Sequence, residues 1–284
     1  MTPADFDFVA QFLKKKSGLV IGPDKQYLLD SRLSPVARKH ALTGVDAVVA
    51  KLRAGGDEAL AKSVIEAMTT NESFFFRDKT PFEQFEKIML PAILKSRAAA
   101  KRLRIWCAAA SSGQEPYSLA MILREKAALL KDWKIEILGT DLSTEILAKA
   151  REAVYSQFEV QRGLPIQMLV KYFKKEGDLW RVNEDIRGMV QYKTNNLLEP
   201  FTGMGPFDIV FCRNVLIYFD TPTKASVLER TAQIMAPDGF LVLGAAETVL
   251  GVTNVFSPVE GARGVYGRAA AGASAAPKAL AAAG

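Results

Sequence analysis

Cysteine and histidine are almost absent from this chain of 284 residues. It contains two cysteines, Cys107 and Cys212, and one histidine, His40. Two cysteines cannot supply a disulfide framework, so the sequence predicts a cytoplasmic protein in which both cysteines are buried core residues. A single histidine without a cysteine cluster cannot complete a zinc-type site, so we expect no metal cofactor.

Long hydrophobic runs are also missing. No stretch of about 18 apolar residues occurs, which predicts no membrane insertion. The first segment, MTPADFDFVAQFLKKK, carries acids where a signal peptide needs a basic start and an uninterrupted apolar core. What is present includes 49% hydrophobic residues, enough for a sizeable core. The net charge of +6 favours acidic partners, a class that includes nucleic acid, anionic lipid and acidic protein surfaces.

The first part of the chain, residues 1–70, predicts an all-α domain. Apolar residues recur at helical spacing in its first segment, and a glycine ends it: Phe6, Val9, Phe12, Leu13 and Gly18. Pro35 lies inside the next helical segment, which is therefore either two short helices or one kinked helix. The segments VDAVVAKLRAG and DEALAKSVIEAMTT complete a small helical bundle.

The pattern changes after residue 101 to alternating strands and helices. The strand candidates are short apolar runs of the kind buried on both faces of a sheet: LRIWCAAA, KIEILGTD, MVQYKTNNLLEP, FDIVFCRNVLIYF and GFLVLGAAE. This order predicts a doubly wound α/β domain over residues 92–268. We expect Pro91 to break the preceding helix and Gly239 to end the last one. Residues 156–190 predict an inserted subdomain, and the alanine-rich residues 269–284 predict a disordered tail.

Three loops follow predicted strands and should meet at one edge of the sheet. They are AAASSGQEP, the end of ILGTD, and CRN, which carry Glu115, Asp141, Arg213 and Asn214. An acid at the end of the second strand is placed to accept hydrogen bonds from two ribose hydroxyls, so Asp141 indicates a nucleoside-type cofactor. The same residue could instead cap the helix that begins near Ser143.

The cofactor could be a dinucleotide or S-adenosylmethionine. The first loop has a single glycine and is not G-x-G-x-x-G, so the dinucleotide fingerprint is absent. Glu115 in that loop would repel a pyrophosphate, whereas the amino group and sulfonium of S-adenosylmethionine are cationic. The loop therefore favours the methyl donor over a nicotinamide oxidoreductase.

Six motifs resemble those of the chemotaxis receptor methyltransferases (CheR type), in the family's order and spacing: TTNESFFFRD, WCAAASSGQEPYSLAM, GTDLSTEILAKAREAVY, NLLEPF, FDIVFCRNVLIYFD and LVLGAAE. The resemblance implies transfer of methyl from S-adenosylmethionine to glutamate side chains on the cytoplasmic helices of chemoreceptors. It also implies an all-α N-terminal domain and a Rossmann-like class I methyltransferase domain with a small inserted β-subdomain. A nucleic-acid methyltransferase fits the charge but not these motifs.

The resemblance also assigns site residues. Residues 71–91 correspond to a linker that contributes to the cofactor site. The positions that match cofactor contacts are Asn71, Ser73, Arg77, Glu115, Asp141, Asn196, Leu197, Arg213 and Asn214. Ser73 stands where the family usually has threonine. Arg77 and Tyr218 are candidates for orienting the acceptor carboxylate; Arg77 could otherwise form a surface ion pair, and Tyr218 could simply pack in the core.

A basic group in the helical domain is the candidate partner-binding surface. Arg32, Arg38 and Lys39 match a basic helix that meets the acidic receptor helix in the family, although a solvated face would look the same. The inserted segment FKKEGDLWRV lacks the extra glycines expected of members that grip a receptor's C-terminal pentapeptide. We therefore expect a pentapeptide-independent enzyme, with a signalling scaffold that binds the cofactor without turnover as the alternative.

Overall fold

A computed structural model describes residues 1–269, and the predicted tail lies outside them except for its first residue. The chain begins with an all-α domain of four helices, as predicted: α1 Pro3–Ser17, α2 Gln26–Lys39, α3 Val45–Ala54 and α4 Glu58–Met68. Their apolar faces form one core around Val9, Leu33 and Val64, which are all fully buried. Thr2 opens α1 with a capping box, and Gly18 ends it in the left-handed conformation.

Pro35 neither splits nor ends its helix. Helix α2 is continuous from Gln26 to Lys39, with Pro35 exposed on its surface. The proline has no N–H to donate to the preceding turn. Ser34 donates its hydroxyl to the carbonyl of Asp30 at 2.6 Å, so that side chain satisfies one carbonyl in the same region of the helix.

The remainder of the chain is built on a seven-stranded, mostly parallel sheet, as predicted from the strand–helix alternation. The strand order is β6-β2-β1-β7-β8-β10-β9, and only β10 and β9 run antiparallel to their neighbours. The strands are β1 Arg102–Ala108, β2 Lys134–Asp141, β6 Val190–Thr194, β7 Phe207–Cys212, β8 Met235–Leu243, β9 Phe256–Pro258 and β10 Val265–Arg268. The order reverses between β1 and β7, where ligands bind in such sheets.

Helices cover both faces of this sheet. Those of the main domain are α5 Thr80–Gln84, α6 Leu90–Ser96, α7 Gln114–Glu125, α8 Thr144–Glu152 and α12 Thr221–Gln233. The expected break at Pro91 does not occur, because a π-helical turn, Phe85–Met89, joins α5 to α6. Pro91 then lies in the first turn of α6, where an N–H is not needed.

The prediction that Gly239 ends the last helix was wrong. Helix α12 ends at Gln233, and the chain is already in β8 at Met235. Phe207 pairs with Met235 and Ile209 with Phe240, so β8 carries an irregularity that absorbs the residues between them. Asp238 within it forms a salt bridge with Arg97.

The inserted subdomain is a second, three-stranded sheet, whose turn at Gly177–Asp178 joins two of its strands. Its elements are β3 Val154–Ser156, α9 Gln157–Gln161, α10 Ile166–Tyr172, β4 Phe173–Glu176, β5 Leu179–Val182 and α11 Glu184–Arg187. Phe75 is fully buried against it, with its ring 5.0 Å from that of Tyr155 and 5.4 Å from that of Phe173. Phe75, the middle one of three consecutive phenylalanines, therefore anchors the segment after the helical domain to the inserted subdomain.

The helical domain docks on the sheet domain at two places. At the first, the N–H of Val20 donates to the carbonyl of Tyr218 at 2.9 Å. At the second, the Glu66 carboxylate accepts hydrogen bonds from the backbone and hydroxyl of Thr144, at 2.6 and 3.0 Å. Gly18 fits against Phe219, and a Cβ at Gly18 would lie 2.9 Å from that ring.

Candidate active site

A cleft lies at the carboxyl ends of β1, β2 and β7, and residues near both docking points line it. Its volume is about 990 Å³, including the part open to solvent. All ten residues predicted for the cofactor and acceptor sites line it: Asn71, Ser73, Arg77, Glu115, Asp141, Asn196, Leu197, Arg213, Asn214 and Tyr218. The structure thus brings together residues that are up to 147 positions apart in the sequence, from Asn71 to Tyr218.

The loop after β1 forms the floor of the cleft. The Ser111 N–H donates to a carboxylate oxygen of Asp141 at 2.9 Å, and its hydroxyl donates to the carbonyl of Asn71, also at 2.9 Å. Tyr155 of the inserted subdomain donates its hydroxyl to the carbonyl of Ser112 at 2.7 Å. The loop after β1 is therefore held by Asp141 at the end of β2, by Asn71 in the segment that joins the domains and by Tyr155 of the inserted subdomain.

Asp141 ends β2 and is only 7% exposed. Its second carboxylate oxygen accepts the N–H of Ser143 at 3.0 Å. It does not cap the following helix, because Ser143 occupies that position and accepts the N–H of Ile146. Burial raises the pKa of Asp141, partly offset by these backbone hydrogen bonds. Each oxygen retains a lone pair for a hydroxyl donor in the cleft.

Arg213 follows β7 and connects three segments while only 5% exposed. It donates to the Glu115 carboxylate at 2.8 Å, to the Asp78 carboxylate at 2.8 Å and to the Arg77 carbonyl at 2.9 Å. Burial raises the pKa of Glu115, and the Arg213 charge partly offsets that rise. Arg213 therefore ties the loop after β1 to the segment that joins the domains.

Arg77 is half-buried at the mouth of the cleft and makes a different set of contacts. One of its N–H groups donates to the Glu72 carbonyl at 2.9 Å. Its guanidinium lies over the Phe74 ring, 5.6 Å from the ring centre. It forms no salt bridge within residues 1–269, so the structure does not show the surface ion pair that was the alternative for this residue.

Two of the polar cleft residues also hold the helical domain. Asn196 donates its amide to the carbonyl of Lys16 at 2.7 Å and accepts the N–H of Leu198 at 3.0 Å. Tyr218 is partly exposed, and its carbonyl accepts the N–H of Val20. Both residues therefore connect the site to the end of helix α1.

The sequence did not point to several contributors to the site. Ser17 and Leu19 line the cleft from the helical domain, because the end of α1 docks beside Tyr218. Glu247, the acid of LVLGAAE, accepts hydrogen bonds from the backbone of the loop after β7. That quoted motif was the available signal for Glu247, whereas only the docking of the domains reveals Ser17 and Leu19.

The predicted basic group does not form one surface. Arg32 is half-buried and donates to the carbonyls of Met68 and Thr69 at 2.9 and 3.1 Å, at the end of α4. Arg38 and Lys39 are exposed, and Lys39 forms a salt bridge with Glu145 of the sheet domain. Arg32 therefore supports the junction, apart from the other two.

The residues of the cleft fit S-adenosylmethionine. Three carboxylates and two guanidinium groups line it, which leaves one negative charge in excess. The ligand carries a sulfonium, an ammonium and one carboxylate, an excess of opposite sign. The buried Nε of Arg213 has no partner among residues 1–269, so it can donate to an anionic group such as that carboxylate. No group of ligands that could hold a metal ion occurs in the same residues.

Two family models match this chain. Residues 4–69 match the family model of the CheR methyltransferase all-alpha domain, and residues 71–265 match that of the CheR methyltransferase SAM binding domain. Among solved structures, the CcbJ methyltransferase from Streptomyces caelestis covers 57% of this chain and 51% of its own, with a TM-score of 0.35 and 14% identity. That likeness is too weak to add to the family match.

Relatives with curated names match nearly the whole chain. Chemotaxis protein methyltransferase 1 of Pseudomonas aeruginosa is 39% identical over 94% of this chain and 98% of its own. The chemotaxis protein methyltransferase of Vibrio parahaemolyticus is 40% identical over 88% of this chain and 91% of its own. These matches, together with a SAM-binding domain on a Rossmann-like sheet, show that the chain belongs to the CheR methyltransferase family.

Proposed function

We propose that the protein transfers the methyl group of S-adenosylmethionine to glutamate side chains on the cytoplasmic helices of chemoreceptors. The observation that carries the proposal is the convergence of all ten predicted residues on one cleft whose excess charge is negative. The products are a glutamate methyl ester and S-adenosylhomocysteine. Relatives named as chemotaxis protein methyltransferases support the pathway.

The acceptor carboxylate needs no general base, because it is ionised at neutral pH. S-adenosylmethionine supplies an electrophilic methyl group on a cationic sulfur. A carboxylate oxygen forms the new bond to carbon as the carbon–sulfur bond breaks, and the opposite charges of the two groups cancel. A site that excludes water favours this change, and fixed geometry supplies most of the remaining acceleration.

Arg77 is the best-placed group to orient the acceptor. It lines the cleft, and a single hydrogen bond to the Glu72 carbonyl occupies its guanidinium among the described residues. Arg213, in contrast, is committed to Glu115 and Asp78. A guanidinium with free N–H groups can hold a carboxylate through two parallel hydrogen bonds. Tyr218 lines the same cleft, on its Val20 side.

The partner surface follows from charge. Arg38 and Lys39 remain exposed at the end of α2, where they would meet an acidic helix of a receptor. Arg32 contributes by holding the end of α4 rather than by contact. Attraction between a basic patch and an acidic helix accelerates encounter and depends on ionic strength.

Methyl transfer to receptor fragments tests the proposal directly. The protein is incubated with donor tritiated in its methyl group and with purified cytoplasmic receptor fragments. We expect label on the receptor that alkali releases as methanol, since a carboxyl ester is base-labile. Binding of S-adenosylhomocysteine without labelling of any receptor fragment would instead favour the scaffold. The variant Arg77→Lys should lose transfer, and Arg162→Lys is its control, because Arg162 also lies over Phe74 but does not line the cleft.

A further inference from the structure

Glu247 lies outside the cleft but receives an unusual number of backbone hydrogen bonds. One carboxylate oxygen accepts the N–H groups of Val215, Leu216 and Ile217 at 2.9, 2.7 and 3.3 Å. The other accepts those of Asn214 and Gly244 at 2.8 and 2.7 Å. Five backbone donors therefore converge on one side chain that is 9% exposed.

The charge of Glu247 is balanced by these amides alone. No lysine, arginine or amino terminus forms a salt bridge with it in the part of the chain that the structure describes. Successive backbone N–H groups that point inward form a concave site for an anion. Here the anion is a side chain of the protein itself, so the arrangement fixes the loop rather than a ligand.

The loop that Glu247 holds has a tight, irregular backbone. Asn214 has φ +58°, a left-handed conformation that asparagine adopts more readily than most residues other than glycine. Gly244 lies so close to this loop that a Cβ there would be 2.8 Å from the side-chain nitrogen of Asn214 and 2.7 Å from a carboxylate oxygen of Glu247. Without the carboxylate, the N–H groups at the start of the 3-10 helix Leu216–Tyr218 would lack an acceptor.

The same loop carries the groups that face the cleft. Asn214, Val215 and Tyr218 line it, whereas Glu247 does not. The carbonyl of Tyr218 also receives the N–H of Val20. Any shift of the 214–217 backbone would therefore move Tyr218 relative to the cofactor and the acceptor.

We propose that Glu247 is a positioning residue for methyl transfer, which holds Tyr218, the candidate acceptor-orienting residue, and its neighbour Asn214 in the cleft through the backbone of residues 214–217. The expected loss of methyl transfer rests on the proposed function, whereas the expected loosening of residues 213–218 does not. Glu247 acts through five amides and touches no reacting atom.

The test uses the full chain with Glu247→Gln. The amide keeps one acceptor oxygen and places an NH₂ group against backbone N–H donors, so at least two of them lose their acceptor. Amide hydrogen exchange of the peptide over residues 213–218 should accelerate by at least about 10-fold. We expect kcat for methyl transfer to fall about 100-fold, the order expected for misplaced reacting groups. Affinity for S-adenosylhomocysteine should fall less than about 10-fold, because Asn214 is the one position assigned to cofactor contacts that lies within residues 214–217.

Glu260→Gln is the matched control, because Glu260 is exposed in the turn before β10. Should Glu247→Gln not fold, Glu247→Asp keeps the charge but withdraws it by one methylene, and the same measurements apply. Unchanged exchange over residues 213–218, or a loss of cofactor affinity as large as the loss of kcat, overturns the inference. A wild-type protein that transfers no methyl, combined with faster exchange in the variant, overturns the proposed function alone.

Discussion

At the scale of single residues, Arg213 carries the most connections in the site. It is almost fully buried and links the loop after β7 to Glu115 and to Asp78. Breaking a buried ion pair leaves uncompensated charge and is costlier than losing a surface pair. The planar guanidinium also reaches several acceptors at fixed angles, which an ammonium group cannot do.

We predict that Arg213→Lys weakens S-adenosylhomocysteine binding by at least about 10-fold, since one point charge cannot replace three directed contacts. Isothermal titration calorimetry measures the dissociation constant, and thermal unfolding should show a lower midpoint. Arg263→Lys is the control, because Arg263 is exposed and does not line the cleft. Equal affinities of Arg213→Lys and the wild type would contradict this role.

The pH dependence of binding should report Asp141. Burial raises its pKa, and the ionised form accepts ribose hydroxyls better than the protonated form. Affinity for S-adenosylhomocysteine should therefore be full above the raised pKa and fall as the pH drops through it. In Asp141→Asn this part of the pH dependence should vanish and affinity at neutral pH should be lower. Titrations of both proteins over a pH series measure the difference, and parallel pH profiles would exclude Asp141 as the source.

The sequence predicted these residues because of where they lie along the chain. Asp141 and Arg213 each come directly after a buried strand, and parallel strands bring such residues to one edge of the sheet. Glu247 has the same kind of position after β8, but its partners are backbone amides rather than a ligand. Backbone N–H donors leave no pattern of paired residue types in a sequence, which is why the role of Glu247 emerges only from the structure.

At the scale of elements, the run of three phenylalanines divides its contacts. Phe75 packs on the inserted subdomain, and Phe76 lies 5.3 Å from the Phe82 ring. Phe74 is partly buried against the guanidinium groups of Arg77 and Arg162. The polar residues before them face the cleft. The resemblance implied that residues 71–91 contribute to the cofactor site. Helical or strand spacing could not have given this arrangement, because residues 71–79 form neither a helix nor a strand.

We predict that Phe75→Ala lowers the free energy of unfolding by about 3–5 kcal/mol, the usual cost of removing a buried aromatic side chain. Denaturant titration measures the loss, and cofactor affinity should fall with it because Phe75 anchors the wall that contains Asn71 and Ser73. Phe158→Ala is the control, since Phe158 is 72% exposed. Similar losses in the two variants would show that Phe75 does not anchor this segment.

The two errors at this scale have one cause. The apolar spacing of the segment before Gly239 looks helical, but pairing of Met235 with Phe207 draws those residues into the sheet. Pro91 looks like a helix break, but the π-helical turn before it joins α5 and α6 into one continuous helix. Phe85 and Met89 in that turn are fully buried. In both segments tertiary burial overrides a local signal.

At the scale of the whole molecule, the helical domain is a wall of the cleft rather than an appendage. It contacts the sheet domain at Val20–Tyr218 and at Glu66–Thr144, and its residues Ser17 and Leu19 line the cleft. The family match explains why both domains occur together, but the docking geometry is a property of surfaces that no linear pattern reports.

We predict that Glu66→Ala weakens S-adenosylhomocysteine binding by about 10-fold, since it removes the two hydrogen bonds that hold α4 against the sheet domain. Calorimetry measures the affinity, and small-angle scattering should show a larger radius of gyration. Glu58→Ala, at the other end of α4 and exposed, should change neither quantity. A compact Glu66→Ala with normal affinity would mean that this contact does not shape the cleft.

We predict that Arg38→Glu raises KM for receptor fragments by about 10-fold at low ionic strength, and by less as salt screens the charges. The cofactor affinity should not change, because Arg38 is outside the cleft. Lys95→Glu makes the same charge change on α6 of the sheet domain and is the matched control. Equal KM values for the two variants would place the receptor elsewhere.

The contact of Gly18 with Phe219 limits how the two halves of this protein can be recombined. A helical domain grafted from a relative must offer a residue without a side chain, in a left-handed conformation, directly opposite that ring. A graft with alanine there would be held away from the sheet, although every residue on the cofactor side remained native. Chimaeras designed to change receptor choice should therefore take the end of α1 and the loop that carries Tyr218 and Phe219 from the same parent.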